Sequence, residues 1–74
     1  ATLGPHVRVN AVSPGGIARN QPALFVERYT AKTPLRRMGT EQDIIAPIAF
    51  LLGEGSCYVT GQEIMVDGGL TATI

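Results

Sequence analysis

The sequence predicts an α/β unit built on a pair of parallel strands, and three observations predict it. Val7 to Val12 and the stretch ending at Val66 are short, rich in β-branched residues, and run into a sharp break: Ser13-Pro14-Gly15-Gly16 in one case and Asp67-Gly68-Gly69 in the other. Between them lie two segments with helical spacing. The connection is far too long for a hairpin and suits a right-handed crossover between parallel strands.

Taken in order, Gly4-Pro5 reads as a turn following an upstream helix. Val7, Val9, Ala11 and Val12 leave the first strand almost no wet face, so the sheet is expected to be covered on both sides. Pro14 lacks a ladder donor and the glycines admit unusual backbone angles, which ends the strand. Asn20 can cap a first helix with Pro22 in its first turn, running to about Lys32. Leu24, Phe25, Arg28 and Tyr29 share helical spacing there. Thr33 precedes Pro34 and is biased out of the helix, so the element stops. Leu35 to Gly39 is a loop. Thr40 then caps a second helix through the amide of Asp43, with Glu41 and Asp43 in its positive first turn. Ile44, Ile48 and Leu51, with Ile45, Ala49 and Leu52, form a broad apolar stripe that demands heavy burial. Pro47 lies inside and is expected to remove one hydrogen bond and bend the axis. Gly53 and Gly55 end the helix. The second strand spans about Gln62 to Val66, and the tail from Leu70 to Ile74 commits to nothing.

Composition narrows the function. The chain has 74 residues, 45% hydrophobic and 16% charged, with zero net charge, so it holds at most one small domain. Neutrality gives no pull toward nucleic acid or an anionic membrane. Arg36-Arg37 is too small for a basic patch and reads as a solvated loop. The longest apolar run, Ile44 to Leu52, is nine residues, too short to cross a bilayer. A lone cysteine, Cys57, excludes an internal disulfide and a Cys-cluster zinc site, and fits a reducing cytoplasm. With no histidine at motif spacing, Cys57 reads as a packed thiol. His6 reads as a solvated turn residue. No metal-ligand spacing appears. No basic start leads into an apolar signal core, and a start at Ala1 instead of Met is what a trimmed or processed piece shows. Two strands cover little surface and leave two open edges, so the chain is expected to need the rest of a larger protein or a partner chain.

In open parallel sheets ligands sit beyond the carboxyl ends of the strands. That places Pro14 to Ile17 where a backbone with small side chains can approach a flat ring. A plain strand-ending turn is the alternative. Asn10, in a buried strand, is expected to bond to a neighbouring loop, and Asp67 to satisfy turn amides.

The ordered series Gly4-Pro5-x-Val7-Arg8-Val9-Asn10-Ala11-Val12-Ser13-Pro14-Gly15, Pro34-Leu35-Arg36-Arg37-x-Gly39, Asp43-Ile44-Ile45-Ala46, Phe50-Leu51, Tyr58-Val59-Thr60-Gly61-Gln62 and Val66-Asp67-Gly68-Gly69 resembles the last third of the classical short-chain dehydrogenases/reductases across essentially the whole chain. The resemblance implies the C-terminal strand-helix-helix-strand part of a Rossmann-type, doubly wound parallel sheet, residues 1–74 forming one fragment of a single domain. It implies an NAD(P)-dependent oxidoreductase that interconverts a carbonyl and a secondary alcohol, with NAD or NADP as cofactor. Pro14, Gly15, Gly16 and Ile17 then lie against the nicotinamide, the backbone of Ile17 bonding its carboxamide. Arg19 stands where the family commonly has a cofactor-contacting threonine; a bidentate donor beside a pyrophosphate is favourable, and pointing into solvent is the alternative. Arg19 to Arg37 matches the substrate loop, with Leu24, Phe25 and Tyr29 lining the substrate, or packing the helix on the sheet. Glu63 to Gly69 matches the subunit contact of a dimer or tetramer. Tyr29-Thr30-Ala31-Lys32 imitates the family's Tyr-x-x-x-Lys with one residue too few and after the Pro-Gly turn, so it is not assigned to catalysis. The family's serine, its tyrosine-lysine pair and its glycine-rich loop match nothing here, so no catalytic residue is assigned and the chain alone is expected to be inactive. Gly15-Gly16-Ile17 followed by Asn20-Gln21-Pro22 is similar to members that build surface sugars, with β-ketoacyl carrier-protein reductases second. A different class, a non-catalytic module docking on a longer relative through the Glu63 to Gly69 strand, is the alternative.

Overall fold

The computed structural model describes residues 5–72; Gly4 and the last two tail residues fall outside them. The order is β1 (Ala11–Pro14), α1 (Ala23–Lys32), α2 (Glu41–Leu52), a single 3-10 turn at Glu54–Ser56, and β2 (Glu63–Val66). The two strands pair in parallel with Ala11 opposite Glu63 and Pro14 opposite Val66.

β1 starts later than Val7 because Val7 to Asn10 has no strand to join. The Val9 amide donates to Thr60 Oγ1 at 3.1 Å, and its carbonyl accepts from Gly61 at 2.8 Å. That stretch is tied to the loop before β2. Pro14 belongs to the strand itself. The ladder is continued by Gly15, whose amide reaches the Val66 carbonyl at 2.9 Å, so the donor that proline lacks is not missed. Asn10 behaves as expected. Its Nδ2 donates to the Val59 carbonyl at 2.9 Å and its Oδ1 accepts from the Gln62 amide at 3.0 Å. Gln62 is thereby held as part of the loop, and β2 begins one residue later than expected.

α1 is not capped by Asn20. The N-cap is Pro22, without a side-chain bond, and Asn20 sits in the left-handed region at φ 59°. The Gln21 side chain decides this: its Oε1 accepts from the Arg19 amide at 2.6 Å and its Nε2 donates to the Ile17 carbonyl at 2.8 Å. The turn so formed delays the helix by two residues. Thr33 stops it as expected, with its hydroxyl donating to the Tyr29 carbonyl at 2.8 Å.

α2 begins with the expected capping box. The Thr40 hydroxyl accepts from the Asp43 amide at 3.4 Å, and the Asp43 carboxylate accepts from the Thr40 amide at 2.8 Å. The helix runs unbroken through Pro47. Gly53 ends it with extended backbone, φ −93° and ψ 173°. Arg8 ties this end of the helix to the loop that follows it. Its guanidinium donates to Ser56 O at 2.9 Å, Val59 O at 3.1 Å and Leu51 O at 3.2 Å, carbonyls that also accept from the Val59 amide, Asn10 Nδ2 and the Ser56 hydroxyl respectively.

α2 packs over both strands, whereas α1 packs on no other element. Among the described residues Met38 is the one buried hydrophobic side chain, and Thr33 and Ser56 are buried polar ones. Val7 and Val9, expected under cover, are about half exposed at 52% and 48%. The radius of gyration is 15.0 Å, against about 11 Å for a compact domain of this length. The unit is an open slab, and its strand ends are all on one side.

Candidate functional site

Because the strands are parallel, β1 and β2 empty into the same crevice. β1 delivers Pro14-Gly15-Gly16-Ile17 and β2 delivers Asp67-Gly68-Gly69. The two turns touch: a Cβ on Gly15 would sit 2.6 Å from Asp67 Cβ, closer than real atoms approach, so this position must be glycine. The Gly16 amide donates to the Tyr29 hydroxyl at 2.5 Å, and a Cβ on Gly16 would collide with Tyr29 Cζ. Gly16 O accepts from Gly39 N at 2.8 Å and Gly39 O accepts from Ala18 N at 2.9 Å, a two-bond parallel bridge of Ile17 with Gly39. This bridge leaves the peptide groups of Ile17 facing the other way. The Ile17 carbonyl takes the Gln21 side chain. Among the described residues its amide has no partner.

A groove of about 580 Å³ runs from Gly16 and Tyr29 past Leu35 and Arg37 to Asp67, Gly69 and Thr71. Its charges are tied into the fold. Arg37 grips Asp43 with two bonds, of 2.7 and 3.2 Å. The Arg37 guanidinium first, and the Thr40 amide next, hold the Asp43 carboxyl well below the usual carboxylate range, and Asp43 in turn raises Arg37. The Thr71 hydroxyl, then the Gly69 amide, hold Asp67 below its ordinary value. Asp67 therefore satisfies turn donors, as expected from its place before two glycines. The Arg36-Arg37 loop is exposed but is not merely solvated, since Arg36 also donates to the Ala31 carbonyl at 2.8 Å.

Arg19 lies at the surface, 2.9 Å from Glu41 with both side chains more than 60% exposed. Leu24, Phe25 and Tyr29 come together on α1. With Arg28 and Lys32 they line a second groove of about 430 Å³. The Phe25 and Tyr29 rings stack at 6.1 Å between centroids. Tyr29 is the residue shared by both grooves. Its contact with the strand end, not packing on the sheet, is what holds α1. Beyond Tyr29, Thr33 and Pro34 press on Gly68 and Gly69, both in the left-handed region at φ 64° and 93°.

Cys57 goes otherwise than its sequence reading, and Arg8 takes a role that had none. Cys57 is exposed and free, because the 3-10 turn buries its neighbour Ser56 and turns the thiol outward. Arg8 carried no reading at all; a lone cation between Val7 and Val9 was the only signal for a clamp on backbone carbonyls. No helix among the described residues is long and apolar enough to cross a membrane.

An open parallel α/β unit with a glycine-lined crevice at its strand ends defines a class of ligand-binding fold. Comparison with known proteins narrows the class. Residues 1–71 match the family model described as enoyl-(acyl carrier protein) reductase. The chain is 45% identical over 75 residues to the L-rhamnose 1-dehydrogenase (NAD(P)(+)) of Azotobacter vinelandii, covering 92% of this chain and 29% of that protein. It is 43% identical over 77 residues to the glucose 1-dehydrogenase of Gluconobacter oxydans, covering 96% of this chain and 28% of that one. A short chain dehydrogenase from Leptospira borgpetersenii, solved with bound NAD+, superposes with a TM-score of 0.83 at 50% identity, over 86% of this chain and 25% of that chain. The chain belongs to the short-chain dehydrogenase/reductase family, and its fold is a C-terminal portion of that family's Rossmann-type sheet. It spans less than a third of the length of these relatives.

Proposed function

We propose that this chain is the C-terminal part of an NAD(P)-dependent oxidoreductase that interconverts a carbonyl and a secondary alcohol. The observation that carries the reading is Ile17. It offers an amide with no partner among the described residues beside a carbonyl held only by the exchangeable Gln21 amide. One free donor next to one acceptor fits a planar carboxamide, which needs both. Pro14, Gly15 and Gly16 present no bulky side chain around it. When bound there, the nicotinamide would donate the hydride to a carbonyl or accept it from an alcohol. Arg19 is free to serve an anionic part of the cofactor, because an exposed ion pair such as Arg19–Glu41 is worth only about 0–1 kcal/mol and exchanges readily. Leu24, Phe25 and Tyr29 line the substrate side and exclude water from it. The strand Glu63 to Gly69 is the assembly surface of a dimer or tetramer.

The serine and the tyrosine-lysine pair of the family belong to the part of the fold these residues do not match. Proton transfer is therefore performed outside this segment, and the segment alone turns over no substrate. The rhamnose and glucose dehydrogenases support a polyhydroxylated substrate, with surface-sugar building ahead of β-ketoacyl carrier-protein reduction.

The test uses the whole protein that carries this chain. NADH and NADPH are titrated by fluorescence, against wild type and Ile17→Pro, which removes the single amide donor. At least a tenfold loss of dinucleotide affinity is expected in the variant, with unchanged circular dichroism. A wild-type protein that binds neither dinucleotide overturns the reading.

A further inference from the structure

The chain has six Lys and Arg side chains, and four of them are engaged by its own groups. Arg8 holds backbone carbonyls, Arg19 pairs with Glu41, Arg36 donates to Ala31 O, and Arg37 grips Asp43. The two that remain, Arg28 and Lys32, have no ion-pair partner among the described residues, and both line the same groove on α1. They stand four residues apart, so their charges face each other along one helix stripe. A like-charge pair in that relation destabilises a helix, and a bound anion relieves the repulsion. Glu27, the one acid of α1, does not line the groove. The other walls are apolar: Leu24 and Phe25 are half exposed, and Tyr29 separates this groove from the strand-end ledge.

We infer that the α1 groove binds an organic oxyanion, a carboxylate or phosphate head seated on Arg28 and Lys32 with the C–H face of its carbon frame against Leu24 and Phe25. The volume of about 430 Å³ lies within the range of small-molecule sites. Resting on the proposed oxidoreductase reading, this makes the substrate an anionic carbonyl or alcohol whose charged end lies outside Tyr29.

Hexanoate, hexyl phosphate and hexanol share one apolar body and differ in the head. Each is titrated into the whole protein in saturating NADH, and the dissociation constant is read from the amide shifts of α1. At least one of the two anions binds tenfold or more tightly than hexanol, and the tighter of them identifies the head. The advantage shrinks as salt is raised, as a charge contact must. It vanishes in Arg28→Gln/Lys32→Gln, while NADH affinity stays within twofold and the circular dichroism is unchanged. Equal binding of all three probes, or an anion preference that survives the double variant, overturns the inference. A protein that binds NADH yet ignores the anions defeats this inference alone; one that prefers the anions but binds no dinucleotide defeats the cofactor reading alone.

Discussion

Tyr29 is the side chain through which α1 is fixed to the strand end; its ring lies against Gly16 and its hydroxyl makes the one hydrogen bond. Tyr29→Phe keeps the ring but leaves the Gly16 amide without its acceptor. The expected cost is about 1–2 kcal/mol, seen locally as faster hydrogen exchange of the Gly16 amide. Exchange that does not change sinks this account. Asp43 makes a second residue-scale prediction, with a defined sign. Its folded-state pKa is depressed by Arg37 and by the Thr40 amide from an ordinary 3.8. The stabilisation is therefore fully present above that value and is lost as the pH falls through the depressed one. The stability difference between wild type and Asp43→Asn is expected to be constant near neutrality and to shrink on acidification. A difference that grows in acid would falsify it.

At the scale of elements, what was legible in the sequence was what neighbouring residues decide. The Thr40–Asp43 box lies within one turn, and its spacing alone places the start of α2. Thr40→Ala removes that cap, and about 1 kcal/mol is expected to go with it, measurable as a lower denaturation midpoint with an unchanged slope. The end of the first strand was legible only as a neighbourhood: proline and glycine punctuate a chain locally, but Pro14 lies inside β1 and Gly15 continues its ladder, because the partner strand supplies acceptors that the local sequence does not show. The starts of β1 and α1 were not. β1 waits on Thr60 and Gly61, more than fifty residues from Val9. α1 waits on a glutamine that folds back on two backbone groups, an arrangement that no propensity scale encodes. Arg8 is the extreme case: its partners Leu51, Ser56 and Val59 lie 43 to 51 residues away. The site shows the same division. The ledge was visible as punctuation, but the meeting of Gly16 with Tyr29 depends on how the loop between them returns, and the bridge of Ile17 to Gly39 sets that.

For the molecule as a whole, the decisive fact is how little is buried. Leu52 is 82% exposed and Tyr58 fully so, while Phe50, Ile45 and Met65 are each about half exposed. Among the described residues a core of one methionine cannot offset the conformational entropy of ordering them, which is on the order of 1–2 kcal/mol per residue for backbone alone. The outer face of the strand pair, with Ala11, Glu63 and Met65 exposed, requires a second layer, because a parallel sheet is stable only when both faces are covered. The isolated 74-residue polypeptide is therefore expected to melt without a cooperative transition and to bind a hydrophobic dye. In the whole protein the amides that join β1 to β2 should be among the slowest to exchange, since core strands open only with the global fold. A sharp calorimetric peak from the isolated segment, its van't Hoff and measured enthalpies agreeing, would mean that the contacts described here suffice for folding. The ledge at the strand ends would then be a property of these residues alone, and no longer of the sheet they complete.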